Sequence, residues 1–233
     1  MTAAEARTML KVLASPEVAA ISAKFFRTGP GQYGAGDVFI GVRVPALRKL
    51  VLEFRDLPLA EVEALLHSPI HEERLLALLI LVAIAAKADD GHKQTILNFY
   101  LSNTRYINNW DLVDTSAPAL VGAYLTDKSR RPLMTLAKSN NLWERRIAII
   151  ATQHFIRRGE FEDTLKISQM LLSDTEDLIH KATGWMLREV GKRDEPTLTT
   201  FLELHGTVMP RTMLRYAIER LSPKQRQEFL LRK

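Results

Sequence analysis

Cysteine is absent from the 233 residues. Its absence removes disulfides, iron–sulfur clusters and thiolate zinc sites together, and makes an intracellular location the expectation. Long apolar runs are missing as well: the longest, Leu75 to Ala86, has 12 residues and stops at Lys87, well short of the ~20 that a spanning helix needs. The first residues, Met-Thr-Ala-Ala-Glu-Ala-Arg, lack the apolar core of a signal peptide. The Gly-rich stretch Thr28 to Asp37 is followed by no Gly-Lys-Ser/Thr and preceded by no strand, so neither a P-loop nor a dinucleotide fingerprint is present. There is no His-Glu-x-x-His and no Gly-x-Ser-x-Gly elbow. His67 and His71 stand four apart, but Pro69 lies between them, so the first ends one helix and the second starts the next, and no metal site is expected there. The six His residues are scattered and form no obvious general-base pair. An enzyme built from this chain has to work with carboxylates, arginines and aromatics.

What is present is basic and helical. Net charge is +5. Residues 1–100 balance 11 basic against 11 acidic side chains, whereas 101–233 hold 21 against 16. Arg outnumbers Lys by 20 to 12, and a one-sided Arg-rich surface suits a phosphate-bearing partner. Apolar residues recur at i, i+3, i+4 and i+7 over 3–13, 46–55, 71–86, 143–157, 160–172, 177–190 and 211–221. Pro follows a possible cap at Ser15-Pro16, Leu57-Pro58, Asp194-Glu195-Pro196 and Ser222-Pro223. Only Val38 to Val44 reads as strand. The fold expected is all-α.

The helices also repeat. Polar starts at His71, Asn108, Asn141, Asp177 and Met209 are separated by 37, 33, 36 and 32 residues, with a second amphipathic stretch between each pair. That period is the mark of stacked HEAT-like helix pairs, because one pair cannot bury its apolar face alone. The expectation is a curved superhelical solenoid forming a single domain over 1–233, with a short hairpin or loop insertion at about 28–44. Arg27 and Arg43 flank that insertion, where a nucleic-acid backbone could approach closely.

The entire Trp supply is Trp110, Trp143 and Trp185, each early in a polar-start helix. Trp110 shares a face with Asp114, Trp143 with Arg146, and Trp185 with Lys181 and Arg188, by i, i+3 or i+4 spacing. Corresponding helices of a solenoid line one wall, which would gather indoles, one or two carboxylates and basic groups. The bland alternative is that each Trp plugs a gap between repeats. A carboxylate beside indoles suits a transition state that develops positive charge, and N-glycosidic cleavage is such a reaction. A base already cationic through alkylation leaves without protonation, so one carboxylate suffices and no catalytic His is needed.

Asn109-Trp110-Asp111-Leu112-Val113-Asp114, Asn141-Leu142-Trp143-Glu144-Arg145-Arg146 and Lys181-Ala182-Thr183-Gly184-Trp185-Met186-Leu187-Arg188-Glu189 resemble the signature segments of AlkD-type DNA alkylation repair proteins. Gly41-Val42-Arg43-Val44-Pro45-Ala46-Leu47-Arg48 is similar to an early turn of the same family. The resemblance runs in order over roughly residues 10–222. It implies a solenoid gripping duplex DNA and a monofunctional, cofactor-free glycosylase that releases 3-methyladenine and 7-methylguanine. Asp114 would be the catalytic carboxylate, Trp110 and Trp185 would flank the lesion, and Arg146 and Arg188 would contact the backbone. Arg145, Lys181, Arg43 and Phe25 are the further DNA-binding candidates. Double-stranded DNA carrying alkylated bases is the expected partner, with no membrane association, a monomeric state, and a cytoplasmic location at the nucleoid when DNA is bound. The sequence departs from the family where a second Trp often stands, at Asn109, and where an N-terminal Tyr often stands, which falls on Phe25 or Phe26. Relatives with inserted hairpins bind unusual DNA structures without cleaving bases, so a non-catalytic binder of branched or damaged DNA is the alternative.

Overall fold

The structure is a computed structural model that describes residues 1–232. It is all-helical: among the described residues no strand occurs, and Val38 and Ile70 make one isolated parallel bridge. No described helix is long and apolar enough to cross a membrane. The helices fall into two compact units, Met1–Ser116 and Ala117–Lys233.

The first unit begins with α1 (Ala3–Leu13), whose Thr2 and Glu5 form a reciprocal capping box. Ser15 caps α2 (Pro16–Phe25), with Pro in the first turn as the sequence indicates. After the Gly-rich connection come α3 (Val44–Phe54), α4 (Leu59–Leu66), α5 (His71–Ala85), α6 (Asp90–Ser102) and α7 (Trp110–Ala117). The expected strand over Val38 to Val44 is corrected. Val44 already belongs to α3, and the backbone N–H groups of Ile40, Gly41 and Val42 donate to the buried carboxylate of Glu72, leaving no ladder for a partner strand. Gly41 is required there: its φ is +82° and a Cβ would lie 2.0 Å from the Ser15 carbonyl oxygen. The core is α5, buried from Leu75 through Leu81, packed against α3 and α4 through Leu47, Leu50, Val62, Leu65 and Leu66. Burying each such side chain is worth about 1.5–3 kcal/mol.

The second unit follows a π-helical turn (Pro118–Gly122) with α8 (Arg131–Ala137), α9 (Leu142–Ala151), α10 (Gln153–Ile156), α11 (Glu162–Met170), α12 (Asp177–Gly191), α13 (Glu195–His205), α14 (Arg211–Ala217) and α15 (Pro223–Leu231). Of the helices with polar starts, α12 packs against both α9 and α14. The α12–α14 approach is close at Gly184, where a Cβ would sit 2.4 Å from the Met213 carbonyl oxygen and 2.5 Å from Tyr216 Cβ. Ala would gain roughly 1 kcal/mol of helix propensity, but a backbone oxygen cannot step aside without moving α14. Gly184→Ala is therefore expected to cost about 1–3 kcal/mol net, read as a lower urea midpoint with an unchanged slope.

Candidate functional site

Two of the candidate residues stand on α7. Trp110 is its first residue and Asp114 lies one turn on, both half-buried. The Trp110 ring is backed by aromatics from the end of α2. Phe26 stacks on it at 5.1 Å and 17° between planes, and Phe25 meets it edge-on at 5.8 Å and 73°. The aromatic position that the sequence leaves between Phe25 and Phe26 is thus shared. Phe26 is the platform, and Phe25, 64% exposed, is the rim. Phe39 covers the opposite face of Phe26 at 5.0 Å and 19°, so an arm of the Gly-rich insertion completes the stack.

Beneath these rings is a buried polar cluster that sequence reasoning missed. His71, the first residue of α5, packs on Phe39 at 4.4 Å and on Phe26 at 5.1 Å. Its Nδ1 lies 3.0 Å from Asp37 Oδ2 and its Nε2 2.8 Å from Asp111 Oδ2. Asp37 also accepts from Arg74 Nη2 at 2.5 Å and from Asn109 Nδ2 at 2.9 Å. Asn109 accepts the Trp110 backbone N–H on its side-chain oxygen at 2.8 Å. A ring with carboxylates at both nitrogens must donate twice, which only imidazolium can do. Burial opposes the charge, but the bonds to Asp111 and Asp37 outweigh it and hold the His71 pKa up at about 9. Burial likewise works against ionised Asp37, yet the donors His71, Arg74 and Asn109 bring its pKa down to about 2. His71 is therefore a fixed cation and no general base.

A signal for this cluster exists in the chain. A helix that is apolar on every face is buried on every face. The polar residues at its start, His71-Glu72-Glu73-Arg74, are then buried too and must find partners. All four are at most 5% exposed, and Glu73 is paired with Arg7 of α1 at 2.8 Å. The sequence could not say which partners, because Asp37 and Asp111 lie 34 and 40 positions away from His71.

The sign of the pH dependence follows from these two groups. His71 is raised above its unfolded value of 6.5, so its contribution is complete below that pH and disappears as pH rises through about 9. Asp37 is depressed below 3.8, so its contribution is complete above that value and disappears as pH falls toward about 2. Stability should be flat between pH 4 and 6.5 on account of this cluster, then decline by on the order of 3 kcal/mol by pH 9.5. Urea unfolding at pH 5.5, 7.5 and 9.5 checks this, and His71→Gln should remove the alkaline decline.

Behind Asp114, Tyr100 is fully buried with its hydroxyl 2.9 Å from Ser116 Oγ, which itself donates to the Leu112 carbonyl. Burial, and then the charge of Asp114, push phenol ionisation far up. Tyr100 is a neutral wall for the carboxylate. Arg43, at the start of α3, is exposed.

In the second unit Lys181, Trp185 and Arg188 share one face of α12. Trp185 is half-buried and its indole N–H donates to Glu189 at 3.3 Å. Lys181 pairs with Asp177 at 2.7 Å, and Arg188 pairs with Glu219. Three other residues differ from the wall that the sequence suggests. Trp143 is 7% exposed and fills the core, as in the gap-plugging alternative. Arg146 is 5% exposed and donates to the Leu178 carbonyl at 2.7 Å, tying α9 to the start of α12. Arg145 pairs with Asp174 at 2.6 Å and donates to the Ser139 and Asn140 carbonyls. Both guanidinium groups therefore bond backbone carbonyls of their own chain. Among the described residues no group of three or more His, Asp or Glu could hold a metal ion.

Comparison with known proteins bears on the family and the fold. A family model described as DNA alkylation repair enzyme matches residues 6–221. No curated protein matches the chain in sequence. Among solved structures, one described as a predicted DNA alkylation repair enzyme from Enterococcus faecalis is similar with a TM-score of 0.71 and 19% identity, over 90% of this chain and 97% of that one. At that identity the likeness establishes the fold.

Proposed function

The chain belongs to the DNA alkylation repair enzyme family, and from that premise we propose that it is a DNA glycosylase hydrolysing the N-glycosidic bond of cationic alkylpurines in duplex DNA. The observation that carries the reading is the pairing, on one turn of α7, of a half-buried carboxylate with an aromatic-backed indole. In 3-methyladenine and 7-methylguanine nucleotides the base already carries positive charge. When the C1′–N9 bond breaks, its electron pair passes to the base, which leaves neutral, and the positive charge moves to C1′. The Asp114 carboxylate stabilises that charge and holds the water whose oxygen adds to C1′, accepting the proton that the water loses. Trp110 offers its ring to the cationic base before departure. Phe26 sets the orientation of that ring, and Phe25 extends the surface. Lys181 and Arg188, with Trp185 between them, are proposed as the second unit's own DNA contacts, and Arg43 as the first unit's.

Incubation of the protein with methylated duplex DNA should release free 3-methyladenine or 7-methylguanine, quantified by mass spectrometry against a protein-free control. DNA affinity should fall steeply as salt rises, since each neutralised phosphate lowers the log–log slope by roughly 0.9. Binding with no base released would leave only the non-catalytic DNA-binding alternative. Binding that is absent at low salt would end both.

A further inference from the structure

We propose that His71 is a positioning residue for the reaction at Asp114, fixing through Asp111 the first turn of α7 so that Trp110 and Asp114 are held in their working orientation. The inference rests on the glycosylase reading of that site. Its geometric basis is a chain of contacts within the first unit. Asp37 is gripped by Arg74 and Asn109, His71 bridges Asp37 to Asp111, and Asp111 stands between Trp110 and Asp114 in sequence on a single helical turn. Asn109 also fixes the same turn, its side-chain oxygen accepting from the Trp110 backbone N–H while its amide donates to Asp37. The imidazole also packs against Phe39 and Phe26, the ring on which Trp110 rests. One side chain therefore supports both the helix that carries the carboxylate and the platform beneath the indole.

The bridge works only as imidazolium. A neutral ring has one N–H and would leave either Asp37 or Asp111 facing a lone pair. The charged and titratable groups facing the ring are Asp37 from the Gly-rich connection, Asp111 from α7, and Arg74 of its own helix through the shared bond to Asp37. The remaining neighbours, Phe26 and Phe39, do not titrate. Loss of the proton should thus release the α7 turn while the other contacts of the fold persist. Misplacing a reacting group by about 1 Å can cost on the order of 100-fold in rate.

The test is single-turnover base release from a duplex carrying 7-methylguanine between pH 6.5 and 10, with the protein-free rate subtracted at each pH and the affinity for the same duplex measured alongside. The wild type should show an alkaline limb centred near pH 9 with little change in affinity. His71→Gln should lower the rate at pH 7 by roughly 10- to 100-fold, keep the affinity within about threefold, and lose the limb. Asp111→Asn allows a neutral His71 to donate to Asp37 while accepting from the new amide. It should fold, exceed the rate of His71→Gln, and also lack the limb. The same limb in His71→Gln, or losses of rate and affinity in equal proportion, would overturn the proposal. If the wild type releases no base at any pH, the glycosylase reading fails by itself. The positioning role is then decided in a Trp143→Phe, Trp185→Phe background, where Trp110 emission should titrate with a midpoint near 9 that His71→Gln removes. Emission constant over that range would refute it.

Discussion

Asp114→Asn is expected to lower base release by about 100- to 1,000-fold while leaving DNA affinity at least as high as the wild type's. Asn keeps the shape of the side chain, removes its charge and puts an NH2 donor where one acceptor oxygen stood. A unit charge about 4 Å from a developing cation is worth about 4 kcal/mol at an effective dielectric of 20, which corresponds to roughly three orders of magnitude in rate. Not all of that is realised. The substrate is cationic before the bond breaks, and only the gain in attraction as charge moves from base to sugar accelerates the step. That reasoning sets the lower end of the range. Affinity should not fall, because removing a negative charge beside a polyanion removes repulsion. Tyr100 and Ser116 bond each other, so the wall behind the carboxylate survives the exchange. The measurement is single-turnover release of 7-methylguanine by wild type and variant, beside an equilibrium binding titration. A variant within tenfold of the wild-type rate would remove Asp114 from the centre of the mechanism.

Asp37→Ala should produce the largest loss of stability in the first unit, about 3–5 kcal/mol. Asp37 is the anion on which three donors converge, His71 and Arg74 from the first turn of α5 and Asn109 from the residue before α7. Its removal leaves the guanidinium of Arg74 buried beside a cationic ring with no carboxylate between them, and the Arg74 Nε already has no partner. Breaking a buried charge cluster by one member costs more than the cluster contributes, since the remaining charges keep their desolvation penalty. For a chain of this length each kcal/mol lowers Tm by about 2–4 °C, so a fall of roughly 6–20 °C in a thermal scan is expected. Asp56, whose side chain is 89% exposed and lies 3.7 Å from Arg55, is the control. Asp56→Ala should change stability by no more than about 0.5 kcal/mol. Equal shifts for the two substitutions would mean that the buried network contributes nothing particular.

The boundaries of most helices were legible from periodicity and caps because those signals are local. The 71–86 run became His71–Ala85, 177–190 became Asp177–Gly191, and 3–13 became Ala3–Leu13. The reading failed where a segment's conformation is set by a distant partner. Val38 to Val44 has the residues of a strand, but Glu72 takes the hydrogen bonds that a neighbouring strand would need. Trp143 and Arg146 carry the same pattern of aromatic plus charge as Trp110 and Asp114, yet the packing of α9 against α12 turns them inward. Helical phase tells which residues share a face. It does not tell whether that face meets solvent or another helix.

Taken alone, the sequence determined the all-helical class, the absence of thiol chemistry and the placement of Trp110 one turn before Asp114. Each of these depends on residue type and on spacings within a few turns of one helix. Only the tertiary structure decided that Asp37, His71 and Asp111 form one buried charge cluster, that Phe26 and Phe39 back the indole, and that Arg145 and Arg146 bond to their own chain. Most of these are contacts between residues from 13 to 84 positions apart, and it is burial, not local propensity, that selects such partners, by penalising every polar group that fails to find one.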